Sequence, residues 1–328
     1  MVRFLIGVTL LVAAAIGASV WWWLDAPLPL ASDRVEASIE PGSSPRDVAQ
    51  VWVNAGVQTQ PRLLFEWFRW SGEARRIRAG SYQIERGTTP RGLLDKMVRG
   101  DQVMETVRLL EGWTFRQFRA ELAKAAALRP ATAAMSDVEI MTTLGAPGVV
   151  PEGRFFPDTY TYGRGVSDLT VLRRAYETMQ RRLDAAWNER SDGSPLKSPN
   201  DALILASIIE KETGAAAERG RVAGVFINRL RTGMPLQTDP TVIYGLGPTF
   251  DGNLRKRDLL ADGPYNTYTR PGLPPTPIAM PGRASLMAAV KPEPTRALYF
   301  VSRGDGTSEF SETLDQHNRA VNKYQRGR

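Results

Sequence analysis

The run Leu203-Ile-Leu-Ala-Ser-Ile-Ile-Glu-Lys-Glu-Thr213 constrains the fold more than any other stretch of the chain. An apolar run of this length that ends in acids reads as a helix packed against a core. On a helix of 3.6 residues per turn, Ala202, Leu205, Ile208 and Ile209 form one stripe, and Glu212 extends it from Leu205, Ile208 and Ile209. Glu210 falls about 200° from Glu212 around the axis, on a more polar face with Ala206, Ser207 and Thr213, so the two carboxyls do not share a site. A carboxyl on an apolar face is desolvated, which favours its neutral form and suits a general acid near neutral pH. The plainer reading is a glutamate that ends the stripe and reaches solvent. Glu210 as the catalyst would demand a second buried face.

Composition narrows the chemistry. The chain has 328 residues, which suggests about two domains, and at 42% hydrophobic it can bury a sizeable core. It has no cysteine, which excludes disulfides, a thiol nucleophile and cysteine-ligated metals. A single histidine, His317, rules out a multi-histidine metal site, and without a G-x-S-x-G motif it reads as a surface or capping residue. Neither phosphate-binding glycine motif is present, so nucleotide chemistry is not expected, and neither is a metal or other cofactor. The net charge of +7 suits an anionic partner. Lys and Arg are dispersed, however, and the densest cluster, Glu73-Ala-Arg-Arg-Ile-Arg78, fits a solvated helix face; no nucleic-acid partner is expected.

Phe4 to Leu24 carries no charge and no proline and is long enough to cross a bilayer, with Trp21, Trp22 and Trp23 as an interfacial belt. Arg3 before it and Asp25 after it favour a cytoplasmic N-terminus. An uncleaved anchor is expected; the rival is a cleaved signal peptide, whose apolar core would be shorter. Pro27 to Asp33 reads as a short stiff linker. A strand, a Gly-containing turn and a helix then recur: Val35–Ile39, Pro41–Asp47 and a helix carrying Val48, Val51 and Trp52; Ala79–Ile84, Arg86–Arg91 and Gly92–Val98; and, more loosely, Glu105–Leu110, Glu111–Arg116 and a helix through Leu122. With a further helix from Arg62 to Trp70, this order resembles the LysM-like glycan-binding module, with Pro41-Gly42 and Arg86-Gly87 as the turns. A generic α+β domain fits the same pattern.

Residues 125–150 read as a helical connector. In Pro151-Glu-Gly-Arg-Phe-Phe-Pro-Asp-Thr-Tyr-Thr-Tyr162 the prolines and glycine forbid a long helix, and the aromatics serve either to stack on sugar rings or to pack a core. A long helix covers Asp168 to Trp187. After the central run, Arg221 to Leu230 shows a helical apolar face that stops at Gly233, and Asp239 before Pro240 is a helix N-cap. Asn228, Gln237 and Thr238 offer neutral hydrogen-bonding groups suited to sugar hydroxyls and N-acetyl groups. Leu298–Val301 and Thr307–Phe310 read as a closing hairpin.

Ala206-Ser-Ile-Ile-Glu-Lys-Glu-Thr213, Val225-Phe-Ile-Asn-Arg-Leu230, Leu236-Gln-Thr-Asp-Pro-Thr-Val-Ile-Tyr-Gly245, Tyr265-Asn-Thr-Tyr268 and Gly272-Leu-Pro-Pro275 resemble the signature of the MltG/YceG-like family of endolytic murein transglycosylases. The resemblance implies an α+β chain: an N-terminal transmembrane helix (1–25), a LysM-like front module (26–124) and a mixed α/β catalytic domain (125–328) whose central helix bears the catalytic glutamate. It also implies a single-pass inner-membrane enzyme with its catalytic domain in the periplasm. Its substrate would be nascent peptidoglycan strands, cut internally as a terminase of elongation, and its partners peptidoglycan synthases (penicillin-binding proteins). The family's catalytic glutamate falls on Glu212. Asn228, Gln237, Thr238, Tyr244, Tyr265 and Asn266 are expected to line the cleft. Glu152 is the candidate second carboxyl, or else a turn residue pairing with Arg154. The alternative function is a non-catalytic glycan-binding adaptor that recruits synthases.

Overall fold

The structure, a computed structural model, describes residues 2–212 and 215–326. Thr213, at the end of the central run, lies outside the described residues. The chain divides into two units, one holding the residues through Thr106 with Ala127–Arg129 and Thr161–Val166, the other holding the rest.

The first unit begins with α1 (Val2–Asp25), the one described helix long and apolar enough to cross a membrane. It continues through β1 (Arg34–Ile39), α2 (Pro45–Ala55), α3 (Pro61–Trp70), β2 (Gly80–Glu85) and α4 (Pro90–Arg99) to the first residues of β3 (Met104–Arg108), which runs on into the second unit. β1 and β2 pair antiparallel from Arg34↔Glu85 to Ile39↔Gly80. β1 alternates as its sequence requires, with Val35, Ala37 and Ile39 buried and the residues between them exposed. Helix starts are encoded locally. Ser44 and Asp47 form a capping box ahead of α2, Thr89 caps α4, and Pro45 and Pro90 occupy the first turns, where no N–H is missed. The core gathers Trp52, Leu64, Phe68, Tyr82 and Met97, with the Trp52 indole donating to Met97 Sδ at 3.2 Å.

One expectation fails here. Pro27 to Asp33 is not a free spacer: Leu28 is buried, Leu28 N donates to Thr88 O at 2.8 Å, Gln58 N donates to Pro29 O at 2.8 Å, and Leu30 bridges Val57. The apolar side chains of Leu28 and Leu30 draw the segment onto the core in spite of its prolines.

The second unit contains α5 (Phe115–Lys124), α6 (Asp137–Thr143) and, beyond β4 (Thr159–Gly163, paired with β3), the helices α7 (Asp168–Asn188), α8 (Pro199–Glu212), α9 (Arg219–Thr232), α10 (Asp239–Leu246), α11 (Lys256–Leu260) and α12 (Arg283–Val290). The hairpin β5 (Tyr299–Ser302) and β6 (Ser308–Ser311) and then α13 (Leu314–Val321) complete it. The connector over 125–150 holds only the short α6, because Pro130, Gly145, Pro147 and Gly148 interrupt it. Of the two readings of the 151–162 aromatics, core packing prevails: Phe155, Phe156, Tyr160 and Tyr162 are all buried. His317 neither caps a helix nor sits free, since its ring stacks on Tyr299 at 5.1 Å.

α8 is the centre of the unit, packed on α7, α9, α10 and α12. Every residue from Ala202 to Ile209 is buried. The stripe read from the sequence is therefore only part of the buried surface, and the face that carries Glu210 is buried as well. Truncating the largest side chain of the first unit's core tests that packing: Trp52→Ala should lower unfolding free energy by about 3–5 kcal/mol in chemical denaturation.

Candidate active site

α8 brings both glutamates to its C-terminal turn, and their partners separate them. The Glu210 side chain is only 8% exposed, accepts from Gly282 N at 2.9 Å and lies 3.9 Å from the Arg219 guanidinium. Its carboxyl is thus held by a backbone N–H and a nearby guanidinium. Glu212 ends the helix, and among the described residues its side chain is bonded by the Thr238 hydroxyl, which donates to Oε2 at 2.6 Å. Burial pushes the Glu212 carboxyl above the usual range; the Thr238 hydrogen bond opposes this, the Asp239 charge adds to it, and the Arg229 charge opposes it. A hydrogen bond to a charged group contributes about 1.5–3 kcal/mol, whereas desolvating a carboxylate costs several kcal/mol. Desolvation therefore outweighs the hydrogen bond, and the neutral form is more favourable than for an ordinary glutamate.

The loop before α10 aims Thr238. Thr238 occupies the N-cap position, one residue before the expected cap Asp239, yet its hydroxyl points to Glu212 rather than to a helix N–H. Asp239 instead accepts from the Tyr268 hydroxyl at 2.5 Å. Gln237 sits at φ 49°, a left-handed conformation that a side chain adopts at a cost. Two braces hold it there. The buried Arg229 of α9 donates to Leu236 O at 2.8 Å and to Leu298 O at 2.7 Å, and approaches Gln237 Oε1 at 3.4 Å. From the other side Gln237 N donates to Thr267 O at 3.0 Å, and Thr238 N donates to Thr267 Oγ1 at 3.1 Å.

Beside this frame lies a cleft of about 870 Å³, lined by Glu152, Lys211, Pro240, Tyr244, Phe250 and Tyr265 among others. Glu212 and Thr238 are not among its lining residues; Lys211 and Pro240, their close neighbours in the chain, are. Tyr244 and Tyr265 meet edge to face at 5.0 Å, and the Tyr265 hydroxyl is 2.8 Å from Thr276 Oγ1. Glu152, 6% exposed, takes Phe115 N–H at 3.0 Å and the Tyr244 hydroxyl at 3.2 Å. Burial pushes it up to about 7 against those hydrogen bonds. It does not pair with Arg154, whose guanidinium bonds Asn200.

Of the residues expected to line a cleft, the structure brings Glu152, Tyr244 and Tyr265 together and sets Thr238 on Glu212, with Gln237 in the bracing loop. Asn228 and Asn266 do neither. The Asn228 amide donates to Thr295 O and Ala297 O, and the Asn266 amide donates to Asp258 O, Leu259 O and Ala261 O, which makes both internal pins. Arg229 and Thr267 were missed. An arginine inside an apolar helix and a threonine between tyrosines carry no sequence signal that they will converge on one loop.

The profile of the YceG-like family matches residues 37–323. The chain belongs to the YceG-like family. Within that family it is 31% identical over 307 residues to a protein of Bacillus subtilis (strain 168) named endolytic murein transglycosylase, covering 88% of this chain and 84% of the relative. It is 24% identical over 338 residues to a protein of the same name from Streptococcus pneumoniae (strain D39), covering 91% of this chain but only 60% of that longer relative. The crystal structure of a yceG-like protein from Listeria monocytogenes superposes with a TM-score of 0.55 at 27% identity, covering 88% of this chain and 98% of that one.

The Glu152 environment gives a pH test. Its carboxyl binds a proton more tightly folded than unfolded, so the folded state loses stability as pH rises from about 4.5 towards about 7. Glu152→Gln should flatten that fall, by up to about 3 kcal/mol over the window, in thermal melts taken across it.

Proposed function

We propose that this chain is an endolytic lytic transglycosylase of peptidoglycan, with Glu212 as its single catalytic acid–base. The observation that carries the reading is the environment of Glu212: a desolvated carboxyl at the end of a helix buried from Ala202 to Ile209, bonded by the Thr238 hydroxyl. The relatives' shared name supplies the reaction class.

Protonated Glu212 donates to the glycosidic oxygen between N-acetylmuramic acid and N-acetylglucosamine. As the C1–O bond breaks, the muramic C6 hydroxyl closes on C1 and its proton returns to Glu212, leaving a 1,6-anhydro end. Ordinary glycosidases divide these tasks between two carboxylates; here one suffices, because the nucleophile is intramolecular. The Thr238 hydroxyl orients Oε2 and stabilises the ionised intermediate state of the acid. Tyr244 and Tyr265 supply faces for sugar rings, and Glu152 holds the Tyr244 hydroxyl in place.

The remaining assignments belong to the same reading. Residues 125–328 form the catalytic domain and residues 26–124 a LysM-like module that grips glycan. A polar groove of about 540 Å³ along β2, lined by Gln83, Glu85, Arg86 and Lys96, supports that role. Helix α1 anchors the chain in the inner membrane with the rest in the periplasm. Cutting strands beside their synthases makes the enzyme a terminase of elongation.

Mass spectrometry of glycan strands treated with the protein tests this. Anhydro-ended fragments are expected, and Glu212→Gln should reduce their rate by at least about 10²-fold with the melting curve preserved. Reducing ends would mean a hydrolase, and no cleavage would mean a glycan-binding adaptor. An active Glu212→Gln beside an inactive, folded Glu210→Gln would move the chemistry to the other carboxyl.

A further inference from the structure

α3 has two apolar faces. Leu64 and Phe68 enter the core of the first unit. Leu63, Trp67 and Trp70 recur at i, i+4 and i+7 on another side, and Leu63 and Trp70 are 47% and 77% exposed. Most of the Trp70 ring is open to water, its indole donating to Glu66 Oε2 at 3.1 Å and the Arg69 guanidinium lying over it at 5.5 Å. Arg62 and Arg69 are exposed on the same helix, against one acid, Glu66, which lies 3.4 Å from Arg69, and the Arg46 and Arg69 guanidinia lie over the Phe65 ring at 5.2 and 5.9 Å. Apolar and aromatic side chains flanked by arginines are the composition of a helix lying in a bilayer interface.

Two contacts set this face at the level of the anchor's end. Arg91 stacks over Trp21 of α1 at 5.0 Å and over Trp67 of α3 at 5.5 Å, and its Nε is 2.9 Å from Asp25. Leu63 lines an open groove of about 440 Å³ together with Ile16, Ser19, Val20 and Trp23 of α1. The module cannot swing away from the helix, because Trp23 packs on the module core, Leu24 is buried, and the segment after it is hydrogen-bonded to the body of the unit.

We infer that the Leu63–Trp67–Trp70 face of α3 is a membrane-contact surface that seats on the phospholipid leaflet around α1, with Arg62 and Arg69 at the phosphates and a lipid acyl chain in the groove beside Leu63. The occupant is lipid rather than protein because the face continues the surface of the apolar helix itself. The inference rests on reading α1 as an anchor. It fixes the front module as an interfacial foot, so that the glycan groove is held at a set height above the bilayer.

The absence of native cysteine allows a direct test with the full chain in phospholipid nanodiscs. Single variants Ile16→Cys, Leu63→Cys and Trp70→Cys each carry a fluorophore, and lipids bear a spin-label quencher either near the headgroup or deep in the acyl chain. Labels at 63 and 70 should lose most of their fluorescence to the shallow quencher, and the label at 16 to the deep one. Adding Arg62→Glu and Arg69→Glu should restore fluorescence at 70 and leave 16 unchanged. Quenching at 16 with none at 63 and 70 overturns the proposed surface while leaving the anchor intact. No quenching at 16 overturns the anchor, and this surface with it.

Discussion

The burial of α8 from Ala202 to Ile209 is the constraint on which the rest of the second unit depends. A helix whose residues 202–209 are all inaccessible cannot slide or rotate without opening the core. It therefore delivers its last turn to a fixed place, and the two carboxyls there meet environments that the surrounding elements dictate. Glu210 meets a backbone N–H and an arginine, which tie it to the loop before α12 and to the start of α9. Glu212 meets the Thr238 hydroxyl, which only partly offsets its desolvation, so its carboxyl is pushed above the usual range. The two glutamates, two residues apart, differ in the donors that face them: a backbone N–H and a guanidinium for Glu210, the Thr238 hydroxyl for Glu212.

The same economy of parts governs the loop that faces α8. Gln237 is held in a strained conformation by Arg229 on one side and Thr267 on the other, and the result is a hydroxyl at 2.6 Å from Glu212. Strain of this kind persists only where the surroundings over-determine it. Pinned amides at Asn228 and Asn266 stiffen the neighbouring segments, and the Glu152–Tyr244–Tyr265 group shapes the cleft wall.

Legibility in the sequence depends on whether the signal is local. Alternation in Val35–Ile39, the Ser44 and Thr89 caps and Gly233 after α9 act within a few residues, and the corresponding elements stand close to where they are read. The desolvation of Glu212 is legible because helical periodicity is local too. The face of its neighbour is misread for a non-local reason: Ser207 looks polar but donates to Ile204 O and accepts Ile278 N, so its face is buried too, and Glu210 with it. Pro27 to Asp33 looks like a spacer because proline is visible in sequence and the distant Thr88 carbonyl that fixes it is not. Asn228 and Asn266 read as ligands for sugar because an amide's chemistry is the same whether its partner is an acetamide or a backbone carbonyl far along the chain.

Glu212 as a neutral acid held by burial is the claim on which the mechanism stands. Its most direct test is the carboxyl carbon resonance of Glu212, followed against pH with ¹³C-labelled glutamate and assigned by difference from Glu212→Gln. The account predicts a midpoint clearly above the ordinary glutamate value of about 4.3, rising further in Thr238→Val as the one opposing hydrogen bond is lost. A midpoint at or below the ordinary value, unmoved by Thr238→Val, would contradict it.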